Sequence, residues 1–379
     1  KSDKAPEPGA VNDDLIKMAQ EIPIVRVVDT LLEYAVIEKA SDIHIEPQEN
    51  AVAVRYRIDG VLHDVMTLPK AIQAALVARI KVLSNLKIDE HRMPQDGRYK
   101  IEKDGYKFSL RISTIPIFDG EKIVMRILDP SSAMLGIDAL GYEAFQKKLY
   151  MDCLARPHGM ILVTGPTGSG KTTTLYSILG ILNQPGVNIS TVEDPIEYRV
   201  GGVNQSQINP KAGFTFASGL RSLLRQDPNV IMVGEIRDQE TAEIAVNAAM
   251  TGHLVFSTLH TNNASQTIDR IIDSFPSDQQ DQIRVQLSNS LAGIFSQRLI
   301  PRISGGLIPA YELLINNTAV ANLIREKRPH EITSVIETGS EDGMIDMNRC
   351  LAGLVKNGEI TIENAFAFSS NPHTLERMI

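Results

Sequence analysis

The sequence predicts an α/β protein in two parts: a smaller α+β domain, then a mostly parallel sheet covered by helices. Three observations carry this. After about residue 142, short apolar runs alternate with longer helical patterns (GMILVTG, TTTLYSILGIL, VNISTVED, VIMVGEI, HLVFSTL), and such alternation implies parallel strands with helical crossovers. Before residue 128, alternating runs are joined by Asp-Gly pairs, the strongest short-range hairpin cue. Between the two parts, DPSSAMLGIDALG, residues 129–141, is Pro- and Gly-bearing and weakly patterned. It reads as a linker.

Residues 1–22 read as a flexible leader, the first fourteen holding two prolines, a glycine and charges of both signs. The α+β domain then spans 23–128. Val27, Leu31, Leu32 and Ala35 recur at helical spacing, and SDIHIEP alternates Ile43 and Ile45 with Asp42, His44 and Glu46, as an amphipathic strand would. AVAVRYRI and VLHDV flank Asp59-Gly60, and KIE and YKFSLRI flank Lys103-Asp104-Gly105. Ile72, Leu76, Ile80 and Leu83 mark a one-faced helix between these hairpins. The second domain spans 142–379, and from Gln266 onward the chain reads as largely helical.

Composition narrows the function classes. The chain has 379 residues, 43% hydrophobic and 22% charged, with a net charge of −8. A protein tracking a phosphate backbone usually shows a basic stripe; neither half is basic, so nucleic acid is not an expected partner. The apolar stretches fall short of the roughly 18 residues of a membrane span, so no direct membrane insertion is expected. Cys153 and Cys350 stand far apart without metal-ligand neighbours, which excludes a disulfide framework or a four-thiolate zinc site and suits a reducing cytoplasm. The chain starts at Lys1, not Met, as expected of a piece with a further domain upstream.

The chemistry concentrates at the ends of the predicted strands. Gly165-Pro166-Thr167-Gly168-Ser169-Gly170-Lys171-Thr172 satisfies G-x-x-x-x-G-K-[ST], follows an apolar run, and opens into a helical pattern beginning Thr173-Thr174. Glycines let backbone amides wrap an anion, Lys171 supplies charge to β- and γ-phosphates, and the Thr172 hydroxyl coordinates Mg²⁺. The expected cofactors are therefore ATP or ADP with Mg²⁺, held by residues 165–173.

Hydrolysis needs carboxylates as well. NVIMVGEIRD ends its strand in Glu235, and VNISTVEDPIEY ends in Glu193 and Asp194 before Pro195 turns the chain. Parallel α/β sheets bind ligands at the carboxyl ends of their strands, so Glu235 and Glu193 are expected to position metal or water. TGHLVFSTLHT places His253 and His260 at either end of a fourth strand. A histidine in such a setting is usually structural, but two around one strand of a nucleotide sheet make both candidates.

Together GPTGSGKT, STVEDPIEY, VIMVGEIRD and GHLVFSTLHT resemble the Walker A, Asp, Walker B and His boxes of the type II secretion and type IV pilus motor ATPases, the group that includes GspE, PilB and PilT. The resemblance covers about residues 23–379. It implies a RecA-like P-loop ATPase domain preceded by a PAS-like domain, in a homohexameric ring that clamps nucleotide between domains. It also implies Glu235 as catalytic base, Glu193 as supporting acid, and Arg111, Arg126, Arg221 and Arg225 as charge-neutralising fingers, partly from a neighbouring subunit. The expected partner is an inner-membrane platform protein, to which a cytoplasmic ring would dock. The first two thirds, with SDIHIEP, RYRIDGVLH and PQDGRYK, resemble the extension and secretion members, whereas AVANLIREKR and DGMIDMNRCLAGLVKNGEIT resemble the retraction member. After Gln297-Arg298-Leu299 there is no tetracysteine loop, so no zinc is expected. Three functions follow as expectations: pilus assembly or secretion, pilus retraction, and, from another class, nucleic-acid translocation.

Overall fold

The computed structural model describes residues 24–103, 106–128, 151 and 154–379. The expected leader and linker, and Cys153, lie outside them. Contacts divide the chain into two units, Lys1–Pro130 and Ser131–Ile379.

The first unit is a six-stranded antiparallel sheet of order β3-β2-β1-β6-β5-β4. Its strands are β1 (Asp42–Pro47), β2 (Ala51–Ile58), β3 (Val61–Pro69), β4 (Gln95–Lys103), β5 (Tyr106–Ile117) and β6 (Gly120–Leu128). Helices α1 (Ile24–Ile37) and α2 (Gln73–Leu83) bury Val28, Leu31, Leu32, Leu76 and Ile80 against Ile43, Ile45, Val54 and Ile112. The β2–β3 turn sits at Asp59 φ 50° and Gly60 φ 84°, the paired positive φ that Asp-Gly accommodates. β1 departs from expectation. It is central rather than half-exposed, and Asp42 and His44 are buried with the isoleucines. Long basic side chains cover that polar face: Arg126 and Arg57 reach Asp42, and Arg55 and Lys122 reach Glu46. Their aliphatic stems exclude water while the charges stay paired.

The second unit is a seven-stranded sheet of order β13-β12-β7-β11-β10-β8-β9. Its strands are β7 (Gly159–Thr164), β8 (Ile189–Glu193), β9 (Asn204–Gln207), β10 (Val230–Val233), β11 (Leu254–Leu259), β12 (Leu291–Pro301) and β13 (Leu307–Ile315). All neighbouring pairs are parallel except β12–β13. β7 shows why its run is unbroken in apolarity. Ile161 and Val163 face one core, Met160 and Leu162 the other, and every residue is buried. Helix α3 (Lys171–Leu182) covers the first core; α4 (Phe216–Leu223), α5 (Gln239–Met250), α6 (Ala264–Asp273) and α7 (Gln280–Ser290) cover the second.

The expected helical C-terminal region needs correction. Residues 291–315 form the β12–β13 hairpin on the edge of the sheet. LAGIFSQRLIP is buried on both faces for its first seven residues, so it has neither strand alternation nor a helical stripe, and periodicity alone cannot decide its type. Helices follow: α8 (Thr318–Arg325), α9 (Ile332–Thr338), α10 (Met347–Lys356), α11 (Ile362–Phe368) and α12 (Pro372–Glu376). Cys350 packs into the first core as a small apolar residue. No helix among the described residues is long and apolar enough to cross a membrane.

Candidate active site

The ends of β7, β11, β10 and β8 lie side by side at one edge of the sheet, and the loops leaving them begin GPTGSGKT, HTNN, GEIRD and DP. Gly165, Gly168 and Gly170 take φ of 143°, 80° and 85°, a region that L side chains rarely adopt. At Gly165 a Cβ would also stand 2.3 Å from the Gln297 carbonyl oxygen. The loop thus coils tightly into the amino end of α3, where free amides and the helix dipole favour an anion.

Lys171, in the first turn of α3, is nearly buried, and its Nζ donates to the carbonyls of Gly165 at 2.7 Å and Pro166 at 3.0 Å. His260, just beyond β11, lies between two charges. Its Nδ1 is 3.4 Å from Lys171 Nζ and its Nε2 is 3.5 Å from Glu235 Oε2. An imidazole placed between an ammonium and a carboxylate accepts at Nδ1 and donates at Nε2. The other carboxylate oxygen of Glu235 is 2.5 Å from Arg237 Nη2, and Arg237 Nη1 is 4.0 Å from Asp194. A continuous polar chain therefore joins the phosphate loop to β11, β10 and β8.

Burial pushes the Lys171 amine down to about 8, opposed in part by the Glu235 carboxylate. An anion bound beside it favours the charged form and raises that pKa. Phosphate-group affinity should accordingly fall as pH rises through about 8, by up to roughly tenfold per unit, with proton uptake on binding at pH 8.5. Calorimetry in buffers of different ionisation enthalpy reads that proton directly; zero uptake there would contradict the depressed amine.

Gln297 was not among the expected site residues, yet it props the loop. This buried β12 side chain donates from Nε2 to the Ser169 carbonyl at 2.6 Å and accepts from Thr174 Oγ1 at 2.8 Å. Below it, Thr164 Oγ1 donates to Ser296 Oγ at 2.9 Å. Arg237 and Asp194 were missed as well, although both stand inside the quoted motifs.

Two expectations are corrected by the geometry. Glu193 is not turned toward Glu235. It is 3% exposed, and its carboxylate accepts from Tyr176 Oη, from Thr191 Oγ1 at 2.5 Å and from Gln205 Nε2 at 3.1 Å. Burial and this carboxylate push the Tyr176 hydroxyl far above the ordinary tyrosine range. Glu193 is a strut joining β8, α3 and β9, its carboxylate engaged by three protein donors. Glu193→Ala should leave three buried or half-buried donors unpaired at about 1 kcal/mol or more each, lowering Tm by at least roughly 6–12 °C in a unit of this size. A melting curve unchanged from wild type would refute the strut.

His253 is the second correction. It precedes β11 at the opposite end of the sheet from the phosphate loop, where its Nδ1 meets the Ala248 carbonyl at 3.1 Å and its own carbonyl accepts from Gly159. It caps the turn from α5 and touches no site residue.

The arginines divide between the units. Arg221 pairs with Glu240, and Arg225 donates to the Arg221 carbonyl and Ser222 on or beside α4; neither meets Lys171 or Glu235 within the chain. In the first unit, strand register aligns Arg98, Arg111, Arg126, Asp42 and Arg57 in one transverse row. Arg57 and Arg126 pair with Asp42, and Arg111 and Arg98 continue the row one strand at a time away from it.

No group of three or more His, Cys, Asp or Glu side chains among the described residues could hold a metal by itself. With Glu193 withdrawn, the expected donors reduce to the Thr172 hydroxyl and Glu235. Two oxygen donors suit a hard divalent ion that keeps water and phosphate in its remaining positions.

The chain is similar to known proteins in sequence and in fold. Residues 17–330 match the family described as Type II/IV secretion system protein. The type IV pilus assembly ATPase PilB of Acinetobacter baylyi is 57% identical over 256 residues, covering 67% of this chain and 44% of that protein. The type II secretion system protein E of Pseudomonas aeruginosa is 48% identical over 299 residues, covering 79% and 58%. The chain spans about half the length of these relatives. Among solved structures, the pilus retraction motor PilT with bound ADP superposes with a TM-score of 0.73 at 38% identity, covering 91% of this chain and 98% of that one. The ATPase DotB of Yersinia pseudotuberculosis gives 0.77 at 25% identity, covering 94% and 95%.

Proposed function

The chain belongs to the Type II/IV secretion system protein family, and on that premise we propose that it is a Mg²⁺-dependent motor ATPase. It works as a homohexamer, driving pilin polymerisation in a type IV pilus or transport through a type II secretion system. The observation that carries the reading is the convergence of Lys171, His260 and Glu235, each within 3.5 Å of the next, at the carboxyl edge of the sheet. That PilT carries ADP in the superposed fold supports nucleotide as the ligand.

In this mechanism the amides of residues 165–172 cradle the phosphates, and Lys171 exchanges its carbonyl partners for their oxygens. Glu235 orients the attacking water and accepts its proton, which is general-base catalysis. His260 and Arg237, one at each carboxylate oxygen, hold Glu235 in place. The Thr172 hydroxyl and Glu235 would hold Mg²⁺, which supplies neutralisation of charge on the phosphate oxygens when bound. Arg111, Arg126, Arg221 and Arg225, partly from a neighbouring subunit, spread the remaining charge, as arginine fingers do. Differential affinity for ATP and ADP in open and closed states of the ring then performs work. An inner-membrane platform protein receives it, holding the ring at the cytoplasmic side of that membrane. The first unit's antiparallel sheet, with α1 and α2 on its apolar face, supports the PAS-like reading.

Retraction is the second reading, favoured by the PilT likeness across 91% of the chain. Nucleic-acid translocation is the third expectation. Purified protein should release phosphate with Mg²⁺ and be stimulated by a platform protein's cytoplasmic domain. Stimulation by DNA instead would redirect the assignment. Gene deletion separates the first two: bald cells mean assembly, hyperpiliated cells mean retraction.

A further inference from the structure

The loop that leaves β11 with His260 is held at its far end by a residue that no motif includes. Ala264 begins α6, and its backbone N–H donates to Glu312 Oε1 at 2.8 Å. Glu312 stands on β13, two strands beyond β7, in register with Ser296, which itself accepts from Thr164 at the base of the phosphate loop. The intervening loop is four residues long, His260 to Asn263. Asn263 caps α6 by accepting from the Gln266 N–H at 2.8 Å, and Thr267 Oγ1 returns to the Asn263 carbonyl at 2.7 Å and to Thr261 Oγ1 at 2.6 Å. These bonds tie the conformation of the short segment to the amino end of α6.

We propose that Glu312 is a positioning residue for hydrolysis, clamping the amino end of α6 so that His260 stays between Lys171 and Glu235. The inference rests on the ATPase reading above for its catalytic consequence, but the clamp itself is a property of the fold.

Chemistry supports the placement. A carboxyl only 7% exposed is costly to bury unless it is hydrogen-bonded, and the Ala264 N–H supplies such a bond. Burial raises the Glu312 carboxyl to about 7; the Ala264 amide pulls it down, Asp346 at the head of α10 raises it and Arg298 on β12 lowers it. The side chain thus sits among charged groups from β12 and α10 while its hydrogen bond goes to the His260 loop. Neutral or ionised, it offers Ala264 an acceptor oxygen.

The test uses the full chain with its eight histidines labelled at Cε1, the His260 resonance being assigned by its loss in His260→Gln. Glu312→Gln retains an acceptor at the same position; Glu312→Ala does not. The His260 resonance should shift in Glu312→Ala and stay in place in Glu312→Gln, with the other seven unmoved as proof of fold. In turnover, Glu312→Ala should lose about tenfold in kcat with nucleotide Kd changed less than about threefold, and Glu312→Gln should stay within about threefold of wild type. A His260 resonance unmoved in Glu312→Ala overturns the proposal, as does a Glu312→Gln variant displaced as far as Glu312→Ala. A wild-type chain without ATPase activity would sink the functional reading alone, because the resonance needs no turnover. If Glu312→Ala fails to fold, Glu312→Asp, one methylene short of Ala264, replaces it with the same two outcomes.

Discussion

Lys171→Ala should abolish detectable ATP hydrolysis and weaken nucleotide binding at least tenfold. The expected loss in kcat/KM is on the order of 10³ or more, because one side chain supplies both ground-state phosphate contact and stabilisation of developing charge. The fold should survive. The amine donates to two carbonyls of the phosphate loop, and its burial lowers its own pKa, so the folded state spends free energy to hold it there. Unimpaired melting together with lost phosphate release is the expected pair of results. Wild-type turnover by Lys171→Ala would remove the phosphate loop from the mechanism.

Glu235→Gln separates binding from chemistry. The amide keeps the size of the side chain and an oxygen for Arg237 or His260, but it cannot take a proton from water. Nucleotide Kd should change less than about threefold while kcat falls roughly 10²–10⁴-fold, the range of a lost general base. A second consequence distinguishes this from a general disturbance. The Glu235 carboxylate helps keep the Lys171 amine protonated, so neutralising it should move the alkaline limb of nucleotide binding to lower pH. An active Glu235→Gln enzyme would overturn the catalytic assignment, and an unmoved limb would break the electrostatic link between β10 and the phosphate loop.

Much of this was legible in the residues, for physical reasons that differ from place to place. Asp59-Gly60 and the phosphate loop are readable because positive φ restricts the residue type so strongly. The order of motifs along strands is readable because parallel sheets collect strand ends at one edge. What escaped is mostly a matter of one-residue direction. Glu193 and Asp194 are neighbours, and successive side chains in extended backbone point to opposite faces; the pattern could not say which would be buried against Tyr176 and which would face Arg237. His253 and His260 bracket one strand, but only one end of a strand can reach a given edge. Glu312 and Gln297 were out of reach altogether, since β12 and β13 carry no periodicity that separates strand from helix, and their partners lie 48 and 128 positions away in the chain.

The β12–β13 hairpin has a consequence for how small such an engine can be made. All four recognisable boxes end by Thr261, so a gene trimmed just past them would still look complete to anyone scanning for signatures. Its nucleotide cradle would have lost the amide that braces it from behind, and the His260 segment its outer anchor. The minimal working part is thus defined by where support arrives, well downstream of where the last signature is written.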